Sequence, residues 1–259
     1  MAGAARPHGR LPVLAVAIDR LDLAQTVQRI AALADAGNGG HVCLCNAHSA
    51  VTAASDASLA RALATAALVA PDGASVACLM RWLGAADQRR VAGPDLMWAY
   101  CEHAAARGEP IYLYGSTPAT LAALQQRLRE RWPKLRIAGA HSPPYRALSA
   151  AEQAEDVTRI QASGARTVWV GLGCPKQERW MAAHSPQLKA VLIGVGAAFD
   201  FHAGTLQRAP LWLQRLGLEW LHRLWQEPRR LGPRYVLTNS RFIVAAVGQL
   251  LGRLLGVGR

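Results

Sequence analysis

The chain has 259 residues, 51% of them hydrophobic, and a formal net charge of +12 from 29 Lys and Arg against 17 Asp and Glu. That length admits a large core, in one domain or in one domain with an appendage. The charge is uneven: residues 208–259 hold nine arginines and two acids, Glu219 and Glu227, a net +7 in the last fifth of the chain. Such a basic tail suggests a polyanionic partner, either nucleic acid or an anionic membrane surface. The five cysteines, Cys43, Cys45, Cys78, Cys101 and Cys174, are odd in number and lack CxxC spacing. They support neither a disulfide framework nor a zinc site and read as reduced thiols of a cytoplasmic protein.

The apolar run from Leu11 is short, is interrupted by Pro12 and ends at Asp19, so Val13–Ile18 is predicted as a strand and not as a signal peptide. Asp22 caps a helix through about Asp35, with Val27, Ile30 and Leu33 on one face. His41–Cys45 is a strand ending in Asn46-Ala47-His48, and the alanine-rich stretch Ser49–Thr65 is predicted helical. Ala67–Ala70 is a short strand that stops at Pro71-Asp72-Gly73, ahead of a helix through Leu83. A helix from about Leu96 to Ala106 follows Arg90-Val91-Ala92-Gly93-Pro94-Asp95. Ile111–Tyr114 is a strand, and Gly115-Ser116-Thr117-Pro118 starts a helix that runs to Arg131. Leu135–Ala138 is a strand, His141–Leu148 a loop, and Ser149 with Glu152 a capping box for the next helix.

Thr167–Gly204 is the stretch around which the rest is arranged. A β-branched run stops at Gly171-Leu172-Gly173, Cys174-Pro175 breaks the chain, and Lys176-Gln177-Glu178 opens a helix. Ala190–Gly194 repeats the pattern without polar alternation, as in a strand covered on both faces, and leads through Gly196 to Phe199-Asp200. The alternation of strand and helix up to about residue 205 predicts an α/β fold with a parallel sheet. Asn46, Asp72, Gly115, Gln177 and Asp200 then recur at strand ends, where ligands of open parallel sheets bind. Helix capping is the structural alternative for Asp72, and a surface charge for Arg90.

From Pro210 the pattern changes. Trp212–Trp225 is predicted as one helix with Leu213, Leu216, Trp220 and Leu224 on an apolar face, and with Arg215, Glu219 and Arg223 as an i,i+4 salt-bridged stripe. Phe242–Gly256 is apolar but too short to span a bilayer, and its flanking arginines suit a helix lying on an anionic leaflet. The glycine fingerprint for dinucleotides is incomplete at both Gly171-x-Gly173 and Gly194-x-Gly196, no Walker loop is present, and no His pair has metal spacing. None of the nine Asp residues stands two from another, so an Asp-x-Asp metal holder is missing. Phosphate chemistry would then depend on helix N-termini and arginines.

Asn46-Ala47-His48, Pro71-Asp72-Gly73, Arg90-x-x-Gly93-x-Asp95, Gly171-Leu172-Gly173-Cys174-Pro175-Lys176-Gln177-Glu178, Gly196-Ala197-Ala198-Phe199-Asp200, Arg208-Ala209-Pro210, Gly217-Leu218-Glu219-Trp220 and Arg234-Tyr235 stand in the order in which the chain resembles the WecG/TagA/CpsF family, glycosyltransferase family 26. The resemblance covers about residues 12–240. It implies an α/β, Rossmann-like parallel-sheet core of the GT-E type with a helical, basic C-terminal appendage, divided as 1–207 and 208–259. It implies an inverting, metal-independent transferase without cofactor. The sugar would move from a UDP-sugar to a polyprenyl-diphosphate-linked saccharide in exopolysaccharide or other envelope-polymer synthesis, on the cytoplasmic face of the cell membrane. Expected partners are those two substrates and an anionic membrane surface, with self-association also open and nucleic acid not expected. Asp72 is the implied general base, and Asn46, Arg90, Gly93, Asp95, Gly115, Tyr145, Gly173, Gln177, Glu178 and Asp200 the implied substrate contacts. Arg223, Arg230 and Arg234 would face the diphosphate. Two departures from the family pattern are Leu44, where a Thr is common, and Pro233, where a basic residue is common. The rival reading is a non-catalytic nucleotide- or nucleic-acid-binding module with a basic tail.

Overall fold

The computed structural model describes residues 9–256, except for the side chains at 230, 231, 233 and 234. The chain opens with an antiparallel hairpin, β1 (Arg10–Val13) and β2 (Val16–Asp19), where a single strand was expected. The turn has no glycine or asparagine to announce it. Leu14 takes the left-handed conformation at φ 52°, and its N–H is accepted by the Gln249 side chain at 2.9 Å, so a distant part of the chain supports the turn.

Next come α1 (Leu23–Ala36), β3 (His41–Cys45), α2 (Ala47–Ala53), α3 (Ala57–Ala64), β4 (Leu68–Pro71), α4 (Ala74–Trp82) and α5 (Gly93–Arg107). The predicted helix over 49–65 is thus two helices. Asp56 breaks it by accepting hydrogen bonds from the N–H groups of Ser58 and Leu59 as the N-cap of α3. The rest of the core is β5 (Pro110–Gly115), α6 (Pro118–Arg131), β6 (Arg136–His141), α7 (Ala150–Ala162), β7 (Thr167–Gly171), α8 (Lys176–His184), β8 (Val191–Gly194) and α9 (Ala198–Ala203), with a 3-10 turn at Ser185–Gln187. The predicted capping box of Ser149 with Glu152 forms on α7, and the expected cap Asp22 forms a second box with Gln25 on α1.

The six strands β3–β8 pair in the order β4-β3-β8-β7-β5-β6, every pair parallel. Parallel strands need crossover helices that cover both faces, which explains the unbroken burial of β3, β4 and β8. One face packs Val76, Val157, Met181 and the hairpin valines; the other packs Ile30, Met97, Leu124 and Phe199. The fold is therefore α/β with a Rossmann-like parallel sheet, as expected.

This winding decides where a ligand can bind. After β5 the chain crosses through α6 on one face, and after its neighbour β7 it crosses through α8 on the other. The carboxyl ends of β5 and β7 thus flank a topological switch point, where the two following helices diverge and leave a crevice. Gly115 lies at its floor with φ 114°, and a Cβ there would stand 2.6 Å from the Gly171 carbonyl oxygen.

Beyond residue 208 lie α10 (Leu211–Arg215), α11 (Glu219–Gln226) and α12 (Pro228–Leu254). The single helix expected over 212–225 is interrupted because Gly217 turns left-handed at φ 73°, where a Cβ would meet that of Ala74. The last helix begins at Pro228, well before the expected Phe242, since Pro is tolerated in a first turn. Its second half belongs to the core: Phe242 and Ala246 are buried with the residues of α2 and the hairpin. Gln249 also donates to the Pro12 carbonyl at 2.9 Å, and Arg253 hydrogen-bonds the Leu83 carbonyl. Among the described residues no helix is long and apolar enough to cross a membrane.

Candidate active site

All six parallel strands end on the same edge of the sheet, so the sequence-predicted strand-end residues converge there. Asp72 directly follows β4. Its N–H donates to the Cys45 carbonyl at 2.9 Å, which ties it to the end of β3, and Gly73 caps α4 just behind it at φ 82°. The half-buried carboxyl accepts from the Asn46 side chain and from the Gly73 N–H. Burial pushes it up to about 6; the Asn46 hydrogen bond opposes this, Glu219 adds to it, and Arg90 and the Gly73 N–H oppose it. A carboxyl in that range is mostly ionised at neutrality yet more basic than an ordinary carboxylate, and so is suited to take a proton.

Asn46 has two tasks. Its Oδ1 caps α2 by accepting from Ser49 N at 3.1 Å and from Ser49 Oγ at 3.3 Å, and its amide holds Asp72. Helix capping, the alternative weighed for Asp72, does not fall to it, since Gly73 is the N-cap of α4 with no side-chain cap bond; it falls to Asn46, whose cap fixes the amide that points at the carboxyl. Ser49 Oγ also lies 3.4 Å from Cys174 Sγ, joining the β3 end to the turn after β7.

That turn contains a cis Cys174-Pro175 bond and is pinned from below. Gln177 Oε1 accepts from Gly173 N at 3.2 Å, and its Nε2 donates to Glu178 Oε1 at 2.9 Å. Both side chains are buried, Glu178 being 1% exposed, and burial raises the Glu178 carboxyl. These two residues, expected as substrate contacts, are buried at the start of α8, where Gln177 braces the Gly173 turn. Gly173 itself, at φ 77°, has open space on its Cβ side. Tyr145 stands fully exposed in the loop after β6, with the Lys176 ammonium 5.7 Å from its ring centroid at the start of α8.

On the other side Arg90 is drawn to the site by its neighbour, since Val91 N donates to the Pro71 carbonyl at 2.7 Å. Its guanidinium donates to Glu219 Oε2 at 2.8 Å and to Gln214 Oε1 at 3.5 Å. Gly93 begins α5 where a Cβ would come within 3.1 Å of Leu44 and of the Val195 carbonyl. Asp95, in the first turn of α5, is held by Arg208 through two contacts of 2.5 and 2.9 Å. Burial raises that carboxyl, but Arg208 outweighs it and keeps Asp95 below the usual carboxylate range. Asp200 lies half-buried in α9 after β8, and the guanidinium of Arg223 on α11 sits 5.6 Å over the ring of its neighbour Phe201. Arg230 and Arg234 lie outside the described residues.

The stripe Arg215, Glu219, Arg223 does not pair with itself as expected. Glu219 instead bonds Arg90 and Arg208. Neither Glu219 nor Arg208 was among the expected site residues, and their only signal was a place in the ordered motifs. At the end of β6, His141 lies 3.1 Å from the buried Asp156, and Tyr114 donates to the same carboxyl at 2.6 Å. Among the described residues no three His, Cys, Asp or Glu side chains gather as a metal ligand set.

The winding and the polar strand ends define a doubly wound α/β protein with a candidate site on its carboxyl edge, to which the C-terminal helices are tied by Glu219 and Arg90. Residues 11–255 match the model of the Glycosyl transferase WecG/TagA/CpsF family, and the chain belongs to that family. It is thus a glycosyltransferase of cell-envelope polymer synthesis, with a sugar donor and a saccharide acceptor.

Proposed function

We propose that the protein is an inverting transferase that moves a sugar from a UDP-sugar to a polyprenyl-diphosphate-linked saccharide, with Asp72 as the general base. The observation that carries this reading is the Asp72 carboxyl, half-buried at the carboxyl edge of the sheet, raised to about 6 and aimed by Asn46. In one displacement the acceptor hydroxyl oxygen bonds to the anomeric carbon as the bond from that carbon to the UDP oxygen breaks. The hydroxyl proton passes to Asp72, and the electron pair leaves with UDP. Attack opposite the leaving group inverts the anomeric configuration.

The leaving diphosphate gathers negative charge, which arginines can meet with charge-assisted hydrogen bonds. Arg223 lies beside α9, and Arg230 and Arg234 follow in the same basic segment. The reading therefore assigns no metal. The Gly115–Gly173 crevice receives the nucleotide, with Tyr145 and Asp200 on its rim, while Arg90 and Asn46 face the sugars.

A peripheral place on the inner membrane face is supported by the surface of the last three helices. Trp212, Leu216, Trp225, Val244 and Leu254 are each more than half exposed, and Arg215, Arg229 and Arg241 are interspersed among them. Apolar area with basic flanks suits an anionic leaflet, each arginine adding about 1 kcal/mol. In this division residues 208–227 complete the site and α12 anchors them to the core.

The test is to incubate the protein with vesicles bearing a polyprenyl-diphosphate monosaccharide and a panel of UDP-sugars in EDTA. UDP release with a heavier lipid from one donor is expected. UDP release without any lipid product, or product only on adding a divalent ion, contradicts the reading.

A further inference from the structure

Glu219 opens α11, yet its carboxylate turns back to the core. Oε2 accepts from Arg90 Nη1 at 2.8 Å and Oε1 from Arg208 Nε at 3.2 Å, with the Arg90 and Glu219 side chains only 22% and 16% exposed. Arg208 carries the chain of charges on to Asp95. The line Asp95–Arg208–Glu219–Arg90 thus begins and ends on the core and passes through the C-terminal segment. Partly desolvated charges gain their return from fixed geometry more than from net stability.

We propose that Glu219 is a positioning residue, holding the Arg90 guanidinium near Asp72 so that docking of residues 208–226 sets the surroundings of the base. The proposal rests on the reading of Asp72 given above. Anchoring alone does not account for the pair, because the segment is held elsewhere by Phe242 and Ala246 in the core and by Arg223 over Phe201.

Few groups face Asp72. They are the Asn46 amide and the Cys45 thiol from the end of β3, the Gly73 N–H of its own turn, Arg90 from the loop before α5, and Glu219 from α11. Glu219 repels the carboxylate and also occupies Arg90, which would otherwise attract it. Removing the Glu219 charge ends the repulsion and frees the attraction, so both effects favour the ionised base.

The experiment is to titrate the Asp72 carboxyl by carbon-13 NMR in the wild type and in Glu219→Gln, with the signal assigned by its loss in Asp72→Asn. Protease sensitivity of residues 208–227 is followed in parallel. A midpoint lower by about 1 pH unit, as for loss of one neighbouring like charge, with the segment as protected as in the wild type, is expected. An unchanged midpoint overturns the proposal, and so does a segment released to protease, which would make Glu219 an anchor. The titration needs no substrate, so its outcome is separate from the question of whether Asp72 is the base, which turnover of Asp72→Asn decides.

Discussion

Asn46 and Asp72 meet across the ends of neighbouring parallel strands, the Asn46 amide bonding the carboxyl while its own oxygen caps α2. Asn46→Ala removes both. The lost cap costs about 1 kcal/mol of stability. The lost hydrogen bond lets burial raise Asp72 further, so the acid limb of the rate profile moves to higher pH and turnover at pH 7 falls about tenfold or more. Thermal unfolding and a pH–rate series check the two effects separately; an acid limb that moves to lower pH contradicts the assigned hydrogen bond.

Asp72 also links stability to pH. Its folded value, about 6, lies above the exposed value of 3.8, so its contribution is fully present below pH 3.8 and is lost as pH rises through 6. At pH 7.5 the ionised carboxylate weighs against the fold. Asp72→Asn is therefore more stable than the wild type at pH 7.5, by on the order of 1–2 kcal/mol after allowance for partial exposure, with no gain at pH 4. Differential scanning at the two pH values measures this, and a variant that melts lower at pH 7.5 would show that the carboxylate is stabilised in place.

Phe242 is the main tie of α12 to the core, at 5% exposure against α2 and the hairpin. Phe242→Ala should cost about 3–5 kcal/mol. Because Gln249 holds the Leu14 turn from the same helix, the hairpin amides should also lose hydrogen-exchange protection. Truncation at residue 208 should likewise destabilise the core, and a truncated chain as stable as the full one would contradict the shared packing.

Much of the fold was legible because its signals are local. His41–Cys45 and Pro118–Arg131 form with the predicted bounds, since one is a short apolar run between turn signals and the other has a threonine cap, a first-turn proline and a terminating Trp132-Pro133. The misses have tertiary causes. The Leu14 turn depends on Gln249, and the break at Gly217 follows a close approach to Ala74. In the site, Asn46 and Asp72 could be placed from strand ends alone. The burial of Gln177 and Glu178 could not, because periodicity shows that a residue opens a helix and not how deeply its side chain is packed. Glu219 was misread for a related reason: i,i+4 spacing offers Arg215 and Arg223 as partners, while the fold supplies Arg90 and Arg208.

The claim that Asp72 takes the acceptor proton is tested most directly by UDP release in the presence of the lipid-linked acceptor, measured from pH 5 to 8 for the wild type and Asp72→Asn. The account predicts a wild-type acid limb near pH 6. It also predicts a loss of roughly 10²- to 10⁴-fold in the variant at neutral pH, with UDP affinity retained. A variant that turns over within a few-fold of the wild type would contradict it.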